Sequence, residues 1–257
     1  MGRVLFLALA LLIPLASASP VPVAVDAVRA EQGVVVAGHP EAAQIGVEVL
    51  RAGGNAVDAA VAVSLALGVA EPYASGLGGK LVLLYFEAAT GRTYALDALD
   101  ATGAAFDAEA YARRPENDRY YGLTSVAVPG LVDGLWRAHQ RWGERPWAEN
   151  AAPAVRLARD GFVVLAKTRM FFAEKENILR GGDPEIARLY LPDGNLPEVG
   201  RRLANPDLAR TLERVAADGR DGFYRGPVAA ALAAALEAAG GAFTLADLVA
   251  YETRLSD

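Results

Sequence analysis

Few side chains in this sequence are placed to do chemistry, and the best grouped of them are acidic. Asp97 and Asp100 lie three positions apart, directly after a predicted strand. Two neighbouring carboxylates can serve as general acid and general base when a third group orients them, but no such partner is evident here. We therefore favour a turn or capping role for the pair. Lys80 ends a glycine-rich loop and is a candidate binding cation; a solvated place on the rim of the adjoining hairpin is the alternative.

Composition excludes several classes of protein. The 257 residues contain no cysteine, which rules out disulfides, thiolate metal sites and a cysteine nucleophile. The two histidines, His39 and His139, are far apart in sequence, so carboxylates would have to supply most ligands of a zinc site. We expect no metal and no cofactor, and we interpret His39, just before Pro40, as a helix-start residue. A formal charge of −6 without a basic run argues against nucleic acid as a partner.

The N-terminal segment has the pattern of a secretory signal peptide. Arg3 precedes an apolar run from Val4 to Leu15, and Ala16-Ser17-Ala18 places small residues where a signal peptidase cleaves. The run is shorter than the roughly 20 residues that a membrane-spanning helix needs. We predict a signal peptide over residues 1–18, cleaved after Ala18, and a periplasmic or secreted protein. An uncleaved membrane anchor is the alternative.

The first half of the remaining chain predicts two helices and four strands. Pro40 suits the first turn of a helix, Gly53-Gly54 ends it, and Asn55 caps a second helix that has Asp58 in its first turn. That second helix should be buried on all sides, since only Ser64 is polar between Val61 and Ala70. Alternation and turn residues predict strands at Val34–Ala37, Leu81–Phe86, Thr93–Leu96 and Ser125–Val128.

The second half is predicted to be mainly helical. Glycines and prolines bound helices at Leu131–Trp142, Trp147–Arg159, Pro206–Gly219 and Pro227–Ala239. Thr244 and Asp247 have the spacing of a capping box for a short last helix. Lys175–Arg202 is rich in glycine, proline and charge, which predicts a surface excursion. We expect the three tryptophans to pack in the core: Trp136, Trp142 and Trp147.

The order of these segments resembles a known family. From His39 to Tyr85 the sequence gives a helix, a Gly-Gly-Asn break, an apolar helix, a glycine loop and a strand. SVAVPG, PWAENAAPAVRLARDGF and GGAFTLADLVAYE follow in the same order as in the large subunit of the γ-glutamyltransferases. The resemblance covers nearly all of residues 19–257, interpreted as a large-subunit portion. It implies an α+β fold: part of a four-layer αββα N-terminal-nucleophile hydrolase sandwich, helix-rich, with antiparallel strands.

The resemblance also implies where the chemistry is done. Enzymes of this family cleave themselves before a Thr-Thr-His-type sequence and use the exposed threonine as nucleophile, with its own amine as base. No such sequence occurs among these residues, and Thr124 and Thr244 lie in a predicted strand start and a helix cap. We expect a threonine-bearing small subunit as partner, separate or missing, and no catalytic residue or turnover in this chain alone. A truncated, inactive relative or a binding module is the alternative.

The resemblance further implies candidate substrate-binding residues. The family has an Asp-x-Arg-Glu sequence whose arginine grips the α-carboxylate of the glutamyl group. Here the matching residues are Asp97-Ala98-Leu99-Asp100, so Leu99 occupies the arginine's position. The family's glycine loop usually continues with a third glycine where this chain has Lys80, a candidate replacement cation. The expected substrate is a γ-glutamyl amide such as glutathione. If the chain is instead half of an acylase, the substrate is an amide with a non-glutamyl acyl group.

Overall fold

The computed structural model of the protein describes residues 28–256. A short unit ends at Gln32, and the main unit begins at Gly33. The predicted signal peptide, residues 1–18, lies outside the described residues. The helices are α1 Pro40–Arg51, α2 Ala56–Ala70, α3 Ala108–Ala112, α4 Glu116–Tyr120, α5 Leu131–Trp142, α6 Trp147–Asp160, α7 Ala166–Glu174, α8 Glu176–Gly181, α9 Pro184–Tyr190, α10 Pro206–Asp218, α11 Asp221–Tyr224, α12 Gly226–Ala238 and α13 Leu245–Ala250. The strands are β1 Leu81–Glu87, β2 Arg92–Ala98, β3 Phe162–Val163, β4 Arg202–Leu203 and β5 Arg254–Ser256.

The capping signals in the sequence start the first two helices as predicted. His39 is the N-cap of α1, where its Nδ1 accepts the N–H of Glu41 at 3.2 Å. Asn55 forms a capping box with Asp58 at the start of α2. Asp58 is fully buried, and its carboxylate also accepts the N–H of Glu144 at 3.1 Å. A cap that is local in sequence therefore also holds the loop between α5 and α6.

Helix α2 is the centre of the core, as its apolar sequence predicts. Val61, Leu65 and Ala66 are each at most 1% exposed. They belong to a cluster that also contains residues of α5, α6 and α10. Trp147 anchors α6 in that cluster, because its indole Nε1 donates to the carbonyl of Val215 at 2.7 Å. The predicted core role is confirmed for Trp147, which is buried. Trp136 and Trp142 are partly buried and pack against the core, with Trp136 edge-on to Trp147 at 5.1 Å between ring centroids.

The predicted hairpin is confirmed, and a third strand extends it. β1 and β2 pair antiparallel, and β5 pairs antiparallel with the other side of β2. One face of this sheet packs against α5, with Leu96 and Ala98 buried beside Ala138. The other face is bare: Val82, Leu84 and Phe86 are 60%, 75% and 63% exposed.

Two predicted strands are wrong. Val34–Ala37 has no ladder partner among residues 28–256. The segment alternates because Val35 and Ala37 pack against the core, and not because it belongs to a sheet. Ser125–Val128 forms only a single bridge, between Val128 and Ala101. It is preceded by a 3₁₀ turn at Leu123–Ser125, and Pro129 has no N–H with which to continue a ladder.

The predicted surface excursion, Lys175–Arg202, is largely exposed, but it is not irregular. It contains α8, α9 and a 3₁₀ turn, and Leu191 is buried. Asp183 caps α9 by accepting the N–H of Glu185, and Pro184 occupies the first turn. Aspartate followed by proline can start a helix as well as mark a loop, which explains why α9 was not predicted.

Residues 28–256 contain neither a membrane-spanning helix nor a cluster of metal ligands. No helix there is both long and apolar enough to span a bilayer. In the same residues, no three histidine, cysteine or acidic side chains are grouped so that they could hold a metal ion.

The bare sheet face generates the first prediction. A hydrophobic dye should bind the protein, since apolar patches of this kind are unusual on soluble monomers. Leu84→Lys should reduce dye fluorescence and leave the melting temperature almost unchanged, because Leu84 is already 75% exposed. Leu83→Lys is the matched control: Leu83 faces α5, so this variant should lower the melting temperature by several degrees. Equal thermal effects of the two substitutions would contradict the assignment of the faces.

Candidate functional site

Three segments meet at the end of β2: the glycine loop Ser75–Lys80, the turn Asp97–Asp100 and the start of α5. The carbonyl of Gly79 accepts the N–H groups of both Gly130 and Leu131, at 3.0 Å each. Helix starts leave N–H groups without partners inside the helix, so this carbonyl acts as a cap. The glycine loop is thereby fixed to α5.

Close backbone packing holds these segments together. A Cβ at Gly68 of α2 would lie 3.3 Å from the Cα of Gly76 in the loop. At Gly130, a Cβ would overlap the carbonyl oxygen of Ala98 and the hydroxyl of Tyr251. Leu77 is 7% exposed and anchors the middle of the loop in the core. The loop can therefore approach α2 at Gly68, and the turn can approach the start of α5 at Gly130, because glycine is present at each place.

The turn that carries Leu99 is held on both sides. Asp97 Oδ1 accepts the N–H of Leu99 at 3.0 Å, which is the contact of a turn-forming aspartate. The hydroxyl of Tyr251 donates to the carbonyl of Leu99 at 2.6 Å. Burial, together with the negative charges of Asp133, Asp97 and Asp100, raises the pKa of Tyr251 to about 12, so the hydroxyl keeps its proton. The Leu99 side chain remains 46% exposed.

Lys80 and Asp100 are brought together. Lys80 Nζ lies 3.1 Å from Asp100 Oδ1 and 3.3 Å from Oδ2. Both side chains are about half exposed, at 58% and 42%. The four residues singled out from the sequence thus lie around one turn: Asp97 forms it, Leu99 is presented by it, and Asp100 pairs with Lys80.

A cleft of about 480 Å³ opens beside the glycine loop. Its lining is formed by Pro72, Tyr73, Ala74, Ser75, Gly76, Gly78, Gly79, Lys80 and Leu131. Tyr73 is a rigid wall, because its ring stacks on Phe171 at 4.6 Å and its hydroxyl donates to Glu71 Oε1 at 3.2 Å. Burial, and then the charge of Glu71, raises the pKa of Tyr73. Lys167 neutralises Glu71 at 2.5 Å and also donates to the carbonyl of Gly38.

A buried ionic network behind the turn was not predicted from the sequence. Asp133 is fully buried, with Arg220 Nε 2.6 Å from Oδ1. Its Oδ2 accepts the N–H of Thr253 at 2.8 Å and the Thr253 hydroxyl at 2.6 Å. Arg220 Nη2 donates to the carbonyl of Tyr251 at 2.6 Å. The only signal in the sequence was an aspartate within an apolar stretch at the start of a helix.

The other residues considered from the sequence have structural contacts. His39 is fully buried, and its Nε2 lies 3.0 Å from the carbonyl of Val163, in keeping with the predicted helix-start role. Thr124 does not open a strand; it lies in the 3₁₀ turn, where its hydroxyl donates to the carbonyl of Asp118. Thr244 forms the predicted capping box with Asp247. Among the described residues, these two hydroxyls are therefore engaged in local structure.

The architecture is that of the N-terminal-nucleophile hydrolases: helices cover one face of an antiparallel sheet, and a glycine loop leads into the first strand of its hairpin. Within that class, the chain belongs to the gamma-glutamyltranspeptidase family, whose family model matches residues 42–257.

The chain is similar both to glutathione hydrolases and to an acylase. The chain is 35% identical to glutathione hydrolase 3 of Arabidopsis thaliana, over 90% of this chain and 36% of that protein. It is 38% identical to the acylase ACY 1 proenzyme of Pseudomonas sp. strain SE83, over 88% of this chain and 42% of that protein. The gamma-glutamyltranspeptidase of Helicobacter pylori superposes with a TM-score of 0.85 at 26% identity, over 90% of this chain and 67% of that one. The chain spans about two fifths of the length of these curated relatives.

The Asp133 network yields the second prediction. Asp133→Ala should lower the free energy of unfolding by about 3–5 kcal/mol, because it removes the buried carboxylate nearest to Arg220 and leaves the N–H and hydroxyl of Thr253 without their acceptor. Asp221→Ala is the control: it removes a carboxylate that is 58% exposed and 3.5 Å from the same arginine, so it should change stability by at most about 1 kcal/mol. Urea titrations of both variants measure the difference. Similar losses in the two variants would contradict the role assigned to Asp133.

Proposed function

We propose that this chain is the large-subunit portion of an enzyme that transfers or hydrolyses acyl groups of amides. Its membership of the gamma-glutamyltranspeptidase family carries the proposal. Acyl transfer at an amide needs a nucleophile, a base and hydrogen-bond donors for the oxyanion that develops. This chain supplies the glycine loop and the turn that surround the substrate, and its partner supplies the nucleophile.

The partner is a threonine-bearing small subunit. It brings a threonine whose hydroxyl attacks the amide carbonyl and whose free amine takes the proton. The bare face of the sheet supports this arrangement, because Val82, Leu84 and Phe86 offer an apolar surface on which a second sheet can pack. The names of several relatives include the word proenzyme, which supports a chain that is processed into two parts.

The enzyme accepts a wider range of acyl amides than the γ-glutamyl amides that are typical of the family. Leu99 stands where the family has the arginine for the α-carboxylate, and leucine cannot donate a hydrogen bond to that group. An acyl group without an α-carboxylate would lose nothing at this position. The resemblance to an acylase proenzyme supports this second substrate class.

We also propose that the protein works outside the cytoplasm. The pattern of Arg3, the apolar run to Leu15 and the small residues that end at Ala18 supports export with cleavage. The exported form would begin at Ser19.

The third prediction tests the need for a partner. Residues 19–257, recovered from the periplasm of an expression host with Ser19 as the first residue, should release no product from a γ-glutamyl anilide or from glutathione above the blank. Every threonine in that polypeptide is internal, so no threonine has a free amine. Co-expression with a threonine-bearing half from a relative should restore turnover. If the purified chain alone is active and loses that activity on mutation of one of its own residues, the proposal that a partner supplies the nucleophile is wrong.

The fourth prediction concerns Leu99 in the assembled enzyme. Leu99→Arg should raise kcat/KM for γ-glutamyl substrates by one to several orders of magnitude, about 2–5 kcal/mol, because it restores a charged partner for the α-carboxylate. An uncharged acyl anilide is the control substrate and should not gain. If the unchanged enzyme already prefers the γ-glutamyl compound and Leu99→Arg abolishes activity, another cation holds the carboxylate.

A further inference from the structure

We propose that the free edge of β5 and the pocket beside it form a docking surface for an extended acidic segment, which adds to the sheet as a fourth strand. The segment has an acidic, an apolar and an acidic residue at alternate positions, so that all three side chains point towards α5. That this segment belongs to the threonine-bearing partner rests on the proposed function, whereas the residue pattern that the surface binds does not.

Strand β5 lies at an edge of its sheet. On one side it pairs with β2, with Leu255 opposite Leu96, and no residue within 28–256 pairs with its other side. An unpaired strand edge presents backbone N–H and C=O groups to which an extended segment can add. The edge therefore supplies backbone hydrogen bonds, and the neighbouring side chains supply the selectivity.

A pocket of about 420 Å³ lies on the α5 side of this edge. Leu96 is buried against α5, and Leu255 points to the same face because residues directly opposite in a sheet share a face. Leu255 is still 42% exposed, and the rings of Trp136 and Trp142 line the same pocket. A residue opposite Leu255 on an added strand would enter this apolar space. The central residue of the segment is therefore apolar.

Arg137 lies at one end of the pocket. Its Nε is 3.4 Å from Asp133 Oδ2, the same oxygen that accepts the Thr253 hydroxyl. Thr253 precedes Leu255 by two positions. Arg137 is 44% exposed, so an acidic residue two positions from the central one can reach it from solvent.

Arg141 lies at the other end. Its guanidinium lies over the ring of Tyr94, 5.2 Å from the centroid. Tyr94 precedes Leu96 by two positions in β2, and the antiparallel register places it beyond Leu255, on the side away from Arg137. The two arginines therefore flank the apolar centre, which gives the pattern of acidic, apolar and acidic residues at alternate positions.

The charge of the pocket favours an acidic occupant over a second copy of this chain. Within the described part of the chain, the lining includes three arginines and no acidic residue. The buried carboxylate of Asp133 serves both Arg137 and Arg220, and Glu252 is 75% exposed and 3.7 Å from Arg137. A second copy would bring the same arginines to the shared edge, where like charges repel.

The test is an NMR titration of the full chain with the capped peptide acetyl-Thr-Glu-Thr-Leu-Thr-Glu-Thr-amide. The backbone signal of Leu255 and the indole signals of Trp136 and Trp142 should shift. A peptide with lysine in place of both glutamates should bind about tenfold more weakly, because two exposed ion pairs are lost.

Variants of the chain test the arginines. Arg141→Met should weaken binding of the acidic peptide by about threefold to fivefold, the size of one exposed ion pair, and Arg141→Lys should retain it. Arg254→Met is the matched control: Arg254 is next to Leu255 in β5, so its side chain points to the opposite face of the sheet and should contribute little.

Two further peptides test strand addition, each with one backbone N-methyl group, at the leucine or at the threonine before it. In an added strand only alternate N–H groups face β5, so one of these peptides should bind normally and the other about tenfold more weakly. Binding through charge alone would give equal effects.

Four results would overturn the surface: no binding of the acidic peptide, equal binding of the acidic and lysine peptides, equal losses in Arg141→Met and Arg254→Met, or equal effects of the two N-methyl groups. A dimer of the chain that Leu255→Asp dissociates would assign the edge to a second copy and overturn it as well. If the acidic peptide binds as expected but no assembly of the two halves turns over any acyl amide, the docking surface stands and only the proposed function fails.

Discussion

The buried carboxylate of Asp133 is the interaction on which the sheet and the site depend. It joins α5 to Arg220, which is 87 positions away, and to Thr253, which is 120 positions away. An unpaired carboxylate in this place would cost several kcal/mol, so its partners must be in position whenever the protein is folded. Thr253 immediately precedes β5, and Arg220 holds the carbonyl of Tyr251. The same network therefore places β5 beside β2 and the Tyr251 hydroxyl on the carbonyl of Leu99.

The parts of the fold that follow from local signals could be predicted. Helix α5 runs from Leu131 to Trp142 as the sequence indicates, and the Asn55 and Thr244 caps start their helices. Strand pairing is not local, and here prediction was wrong in both directions. Val34–Ala37 alternates like a strand but has no partner within residues 28–256. The three residues of β5 carry no strand pattern but pair with β2, and Asp133 holds Thr253, the residue just before them.

The same distinction applies to the site. Leu99 and Lys80 could be singled out because they depart from the pattern of the family that the sequence resembles, and Asp100 because it lies three positions from Asp97. The hairpin then brings the residue before its first strand next to those after its second. Tyr251 and Asp133 could not, because the contact of Tyr251 with the turn and the contact of Asp133 with Thr253 cross large sequence separations and depend on tertiary packing. Tyr73 was also missed: an aromatic residue beside a proline gives no sign of the stack on Phe171 that makes it a wall of the cleft.

The sequence of β1 links the fold to the proposed partner. A strand with one solvated face alternates apolar and polar residues, but Leu81–Phe86 is apolar throughout. Such a run is typical of a strand buried on both faces. In the structure α5 covers only one face, and Val82, Leu84 and Phe86 remain at least 60% exposed on the other. The pattern thus indicates a sheet that is covered on both faces when the protein works, and a second sheet is the element whose flat apolar surface fits it.

Because Asp97 lies opposite Val82 in the register, whatever covers this face also approaches the turn that carries Leu99. The surface proposed to pack against a partner and the turn proposed to lie near its nucleophile are therefore adjacent.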